Sequence, residues 1–183
     1  EKLDLTDTEV NVEVGLHDIT MSDNLDEGGA QGNIISLNGD VAYNNITIKG
    51  NRFNADTDKT ILTIPTVGTS FVISNNVFNN AGSGASIVAN KMDAGSTLEI
   101  ANNKFNSAKA VAINMDGSFA RDGYLYIHEN VFKGSNAITL NAVKAAQTFV
   151  VNFNNNKVET EKIAVVVKDA PKTFATAFTA NEN

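Results

Sequence analysis

One phrase recurs along this chain: two apolar residues flanking a third, a short polar step ending in Asn, and a Phe two residues later. It reads "ITIKGNRF" at 46–53, "FVISNNVF" at 71–78, "LEIANNKF" at 98–105, "LYIHENVF" at 125–132 and "VNFNNNKV" at 151–158. A looser copy, "VEVGLHDI", covers 12–19, and "TAFTANEN" occupies 176–183. With His17, Asn51, Asn76, Asn103, Asn130, Asn156 and Asn181 as anchors, the intervals are 34, 25, 27, 27, 26 and 25 residues. A unit of about 26 residues cannot bury its own apolar face, so the repeats must stack on one another.

Each unit carries a second apolar run after the Phe, as in "TILTIPT" (60–66), "AVAINMDG" (110–117) and "IAVVVKD" (163–169). Both runs alternate with period two and favour Ile and Val, which predicts strands. No segment has a sustained helical period; "AVKAAQT" (142–148) suits one turn at most. A leucine-rich repeat would place a further leucine three residues before the apolar pair. Those positions hold Tyr43, Gly68, Gly95, Asp122 and Thr148. A propeller blade needs four strands and a longer period. Two or three short strands per turn suit a parallel β-helix.

Through "ITIKGNRF", "FVISNNVF", "LEIANNKF" and "LYIHENVF" the chain resembles the parallel β-helix repeats of the pectate-lyase-like superfamily, over most of residues 10–183. The resemblance implies an all-β, right-handed parallel β-helix solenoid of about six coils, of bacterial origin. It also implies that any chemistry sits on an outward strand face, as acidic groups, a calcium site or an Arg/Lys base.

Alternation assigns the inward positions. Ile46/Ile48, Phe71/Ile73, Leu98/Ile100, Leu125/Ile127 and Val151/Phe153 should stack from coil to coil, with Phe53, Phe78, Phe105, Phe132 and Val158 as a second column. Ile35/Leu37, Leu62/Ile64, Val111/Ile113 and Ile138/Leu140 should supply the third. Asn51, Asn76, Asn103, Asn130 and Asn156 read as structural turn residues, because Asn tolerates the left-handed backbone region and stacked amides bond one another.

The 183 residues suit a single domain, with 1–20 as an N-terminal coil or cap, 21–33 as the longest insertion and 170–183 as a final partial coil, the whole being a fragment of a longer chain or a complete one capped by its tail. Without cysteine there is no disulfide or thiolate metal site. A net charge of −7 argues against nucleic acid, and no apolar run reaches the length of a membrane span.

On the outward face of the first strand, Glu99, Tyr126 and His128 form the candidate catalytic cluster, with Tyr124, Arg121 and Lys49 as candidate ligand-binding residues. Asp40, Asp93 and Asp116 fall at similar points of the second strand, and carboxylates stacked at coil spacing could hold Ca²⁺, the one cofactor considered. The two histidines, His17 and His128, are far apart in the repeat, which argues against a histidine metal site or a catalytic triad. The expected function is a non-catalytic extracellular module of a bacterial surface or secreted protein, binding polysaccharide or host-surface glycan or serving as an adhesin-like stalk. The alternatives are a polysaccharide lyase or glycoside hydrolase, and a trimeric spike or fibre segment in contact through Val72, Val88, Ala112 and Val166.

Overall fold

The structure, a computed structural model, describes residues 15–26, 35–37, 39, 41–56, 58–107, 109–134, 136–141, 148–160, 165–168 and 178–181. The chain winds as a parallel β-solenoid. The first turn carries β1 (Gly15–Ser22) and β2 (Ile35–Ser36). The next carries β3 (Ala42–Lys49), β4 (Arg52–Ala55) and β5 (Leu62–Ile64), followed by β6 (Ser70–Ser74), β7 (Val77–Asn80) and β8 (Ile87–Met92). Then come β9 (Thr97–Ala101), β10 (Lys104–Ser107) and β11 (Ile113–Phe119), and β12 (Tyr124–His128), β13 (Val131–Gly134) and β14 (Ile138–Asn141). The last are β15 (Val150–Asn154), β16 (Lys157–Thr160) and β17 (Val165–Lys168), with β18 (Phe178–Asn181) opening a further turn.

Three parallel sheets result, ordered β1-β3-β6-β9-β12-β15-β18, β16-β13-β10-β7-β4 and β17-β14-β11-β8-β5-β2. Five turns contribute a strand to all three sheets, where the repeat count suggests about six; the outer turns are partial within the described residues. Register steps in the first sheet run Ile19, Ile46, Phe71, Leu98, Leu125, Val151, Phe178, a period near 27.

The register corrects the phase of the two outermost repeats. Ile19 pairs with Ile46, so the first anchor is Asn24, not His17, and the interval of 34 disappears. Met21 and Ser22 thus belong to β1 and Leu25 bridges to Arg52, so the segment read as an insertion begins as ordinary solenoid. At the other end Asn154 pairs with Asn181, which moves the anchor two residues on, to Asn183, outside the described residues.

The expected columns of the first two sheets fill the interior. Phe71, Ile73, Leu98, Ile100, Leu125 and Ile127 are fully buried. Phe53, Phe78, Phe105 and Phe132 stack ring on ring with centroids 5.1, 5.0 and 4.9 Å apart, the last two pairs tilted by only 7° and 4°. Strand spacing of about 4.8 Å sets that separation, close to ideal for offset aromatic stacking. In the third sheet the inward pair is Ile113 and Met115, not Val111 and Ile113, because Ile113 pairs with Ile87 and Ile138. Ala112 lies in the bend just before β11, outside the strand alternation, and is buried, which leaves it unable to make the outward contact assigned to it.

Asn51, Asn76, Asn103, Asn130 and Asn156 are buried, and with the exposed Asn24 their amides form a continuous ladder. They are not the left-handed residues of the turn. Positive φ falls one residue earlier, at Asp23, Gly50, Asn75, Asn102, Glu129 and Asn155. The two tasks of the corner are split: one residue reverses the backbone, the next plugs the corner with its amide.

A candidate ligand face on the first sheet

The first sheet is parallel throughout, and its register sets outward residues in rows across the turns. One row reads Thr20, Thr47, Val72, Glu99, Tyr126, Asn152, and the row beside it Ser22, Lys49, Ser74, Ala101, His128, Asn154. Glu99 and Tyr126 are therefore direct neighbours on adjacent turns. The small Ala101 beside His128 leaves the imidazole room to lean across, and its Nε2 lies 3.1 Å from Glu99 Oε1. His128 Nδ1 lies 3.3 Å from Glu129 Oε2, which also accepts from Asn102 Nδ2 at 3.2 Å. A neutral imidazole has one N–H and donates to only one of the two carboxylates at a time. Both His128 and Glu99 are about one-third exposed, at 33% and 38%, so the pair is open to a ligand.

Tyr124 and Tyr126 alternate onto the same side of β12. Their rings are nearly parallel, tilted by 7° with centroids 6.0 Å apart, and Tyr124 is among the most exposed large apolar residues described. The three residues expected to cluster, Glu99, Tyr126 and His128, are thus brought together, and Tyr124 joins them. Arg121 lies in the exposed turn that leads into β12, its carbonyl accepting from Gly95 N. Lys49 stands in the row of His128 but three turns away, roughly 14 Å at the usual strand spacing. It does not share the site.

The aspartate column is not assembled. Asp40 lies outside the described residues. Asp93 pairs with Lys91 at 2.7 Å, and Asp116 accepts from Asn141 Nδ2 at 3.1 Å. A bulge separates them: Met115 pairs with Ala89 but Ser118 with Lys91, so Asp116 and Gly117 face one residue, Asn90. After the bulge the partner of Asp93 is four residues beyond Asp116. Among the described residues no three His, Asp or Glu side chains come close enough to hold a metal ion.

The valines proposed as a subunit contact lie on different sheets. Val72 faces out from the first, while Val88 and Val166 stand in one row of the third with Asn114 and Thr139 between them. A second outward amide row, Asn54, Asn79 and Asn106, escaped the sequence reading. Its signal was the Asn that follows the Phe in "RFN", "VFN" and "KFN".

No family model matches this sequence, and no curated protein or solved structure matches it significantly.

Proposed function

We propose that this chain is a glycan-binding, non-catalytic module of a bacterial surface or secreted protein, of the pectate-lyase-like kind, with its site at Tyr124, Tyr126, Glu99 and His128. The observation that carries the reading is the pair of parallel tyrosine rings on the outward side of the first sheet, Tyr124 exposed and Tyr126 half-buried. Exposed rings offer an apolar face to the C–H side of a pyranose, and the adjacent carboxylate and imidazole offer partners to its hydroxyls. Parallel strands hold these groups in place before any ligand arrives, which limits the ordering cost of binding. The net charge of −7 points away from nucleic acid as the ligand.

A second reading rests on the Glu99–His128 contact. A carboxylate that orients an imidazole, with a tyrosine across from that carboxylate on the next turn, is a set of groups suited to moving a proton, as a polysaccharide lyase must. One experiment separates the two: a polysaccharide panel, neutral and uronate-containing, tested for retention and for product release with and without Ca²⁺. The module reading expects retention of at least one glycan, lost in Tyr124→Ala and Tyr126→Ala, with no product. Product that vanishes in His128→Ala would replace it with the lyase. No retention of any glycan would leave a stalk.

A further inference from the structure

Between each buried corner Asn and the next inward residue the chain places one outward residue, and its kind alternates from turn to turn: "NRF", "NVF", "NKF", "NVF", "NKV". In register, Leu25, Arg52, Val77, Lys104, Val131 and Lys157 make one row across the second sheet. Arg52, Lys104 and Lys157 are exposed, while Val77 and Val131 are half-buried between them. Successive cations stand two strand spacings apart, about 10 Å. We infer that this row binds a linear anionic glycan laid along the solenoid axis, with an acidic group on every second sugar.

Among the described residues no carboxylate pairs with Arg52 or Lys104. At the far end Glu159 bonds Lys133 at 2.7 Å and Lys157 at 2.6 Å, so two cations and one carboxylate leave a single positive charge. Asp26 and Glu129 flank the row, and each is drawn to a donor beside it. Asp26 Oδ2 accepts from the Asn54 N–H at 3.0 Å, and Glu129 Oε2 from Asn102 Nδ2 at 3.2 Å. One positive unit therefore recurs on every second turn. The net charge of −7 is spread over the whole chain, and at physiological salt a charge acts over only about 8 Å, so an approaching anion meets the row and not the average.

Spacing and the valines set the ligand class. Two sugars of an extended chain cover about the distance of two turns, so alternate sugars meet the cations. The sugars between lie over Val77 and Val131, whose methyl surface suits their C–H faces and penalises a charge. The stems of Arg52, Lys104 and Lys157 add apolar contact. A neutral glycan gains no ion pair on this row. A nucleic acid strand, with a phosphate on every nucleotide, brings charge onto the valines.

The test is titration of the whole chain with a hyaluronan decasaccharide, which carries a carboxylate on alternate sugars, followed by ¹H–¹⁵N NMR. Octagalacturonate, charged on every sugar, uncharged cellohexaose and a short oligo-dT are the comparisons. The hyaluronan fragment, at millimolar concentration or below, should saturably shift the backbone amides of β4, β7, β10, β13 and β16, and high salt should release it. Lys104→Gln should weaken the binding about fivefold, and Arg52→Gln combined with Lys104→Gln further still, the scale of exposed ion pairs. Lys49→Gln, on the first sheet, should leave it unchanged. The proposal is overturned if hyaluronan moves no second-sheet signal, or if its shifts are confined to the surroundings of Tyr124 and Tyr126. It falls if Lys49→Gln costs as much as Lys104→Gln, or if the second-sheet variants, shown folded by their spectra, bind like the parent. It also falls if octagalacturonate, cellohexaose or oligo-dT binds more tightly than hyaluronan.

Discussion

Asn103 Oδ1 accepts two hydrogen bonds from the preceding turn, one from the backbone N–H of Asn76 at 2.9 Å and one from the Asn76 side-chain amide at 3.0 Å. Its own Nδ2 donates to Ile73 O at 2.8 Å, Ala101 O at 3.0 Å and Asn130 Oδ1 at 3.1 Å, two hydrogens shared among three oxygens. One buried side chain thus ties three successive turns together at a corner where the backbone leaves its ladder.

Replacing Asn103 with Ala strips the buried Asn76 N–H of its acceptor and removes the donor to the Ile73 and Ala101 carbonyls. A buried orphan costs about 1–3 kcal/mol, so the substitution should destabilise by about 3–5 kcal/mol. Asn103→Asp should cost at least as much at neutral pH and recover part of the loss in acid, because a protonated carboxyl donates and a carboxylate does not. Asn24, exposed at the end of the ladder, makes the contrast: Asn24→Ala should cost less than about 1 kcal/mol. Urea denaturation of the three variants checks the ranking, and equal losses for Asn24→Ala and Asn103→Ala would contradict a ladder whose value depends on burial.

Glu129 holds φ at 55°, in a place where other turns put Gly50, Asn75, Asn102 or Asn155. An ordinary L-residue in the left-handed region carries about 1–2 kcal/mol of strain, which Asn and Gly largely escape. Glu129→Asn should therefore stabilise the fold by about 0.5–1 kcal/mol despite the loss of exposed contacts to His128 and Asn102. A rise in melting temperature checks this, and a fall would show that the exposed contacts outweigh the backbone strain.

Most of the fold was legible because both strand faces and the turn residues repeat at one period. The inward columns of the first two sheets follow directly from alternation, whereas Asn51 to Asn156 stack their amides at the corners without the left-handed backbone expected of them. The errors have local causes. The Asn-Asn dipeptide hides which Asn turns the chain and which plugs the corner, since both residues suit either task. The apolar pattern around His17 imitates the repeat, whereas Asn24 stands one true period before Asn51. The bulge at Asp116 and Gly117 shifts the register of β11, and nothing in a period-two pattern announces it beyond a lone glycine. At the candidate site, strand register was enough to place Glu99 beside Tyr126. The lean of His128 onto Glu99 depends on Ala101 being small, a relation between turns that no single repeat displays.

Gly117 marks that bulge. A Cβ built there would sit 1.4 Å from the Asn90 carbonyl oxygen, a backbone atom that cannot move without parting β8 from β11. Gly117→Ala should destabilise by about 3 kcal/mol or more, well beyond a surface substitution, and should broaden the amide signals of both strands. Gly39→Ala is the control, with nothing within 4 Å of its Cβ. A Gly117→Ala protein as stable as its parent would mean that the two strands separate without loss, against their tight pairing.

Phe105 lies between Phe78 and Phe132, fully buried and stacked on both. Phe105→Ala should cost about 3–5 kcal/mol from lost burial and the cavity left between turns. Phe105→Leu should cost less, since much of the volume is kept. Because each turn rests only on its neighbours, hydrogen exchange should quicken most in β7, β10 and β13 and least in β1. Uniform acceleration along the chain would show that the solenoid unfolds as one unit.

Glu159 gives the clearest pH prediction. It accepts from Lys133 Nζ at 2.7 Å and from Lys157 Nζ at 2.6 Å, and these two bonds, with the Lys133 bond the larger influence, lower its pKa from 4.5 to about 2. A carboxyl lowered on folding stabilises the native state above its unfolded pKa, and that contribution fades as the pH falls through the folded value. The window is therefore between about 4.5 and about 2, on the acid side. Contact with solvent keeps the effect on stability small, so the group itself must be watched. A ¹³C titration of the Glu159 carboxyl should show a midpoint near 2, rising toward the ordinary value in Lys133→Ala. A midpoint near 4.5 in the parent protein would show that solvent dissolves both ion pairs.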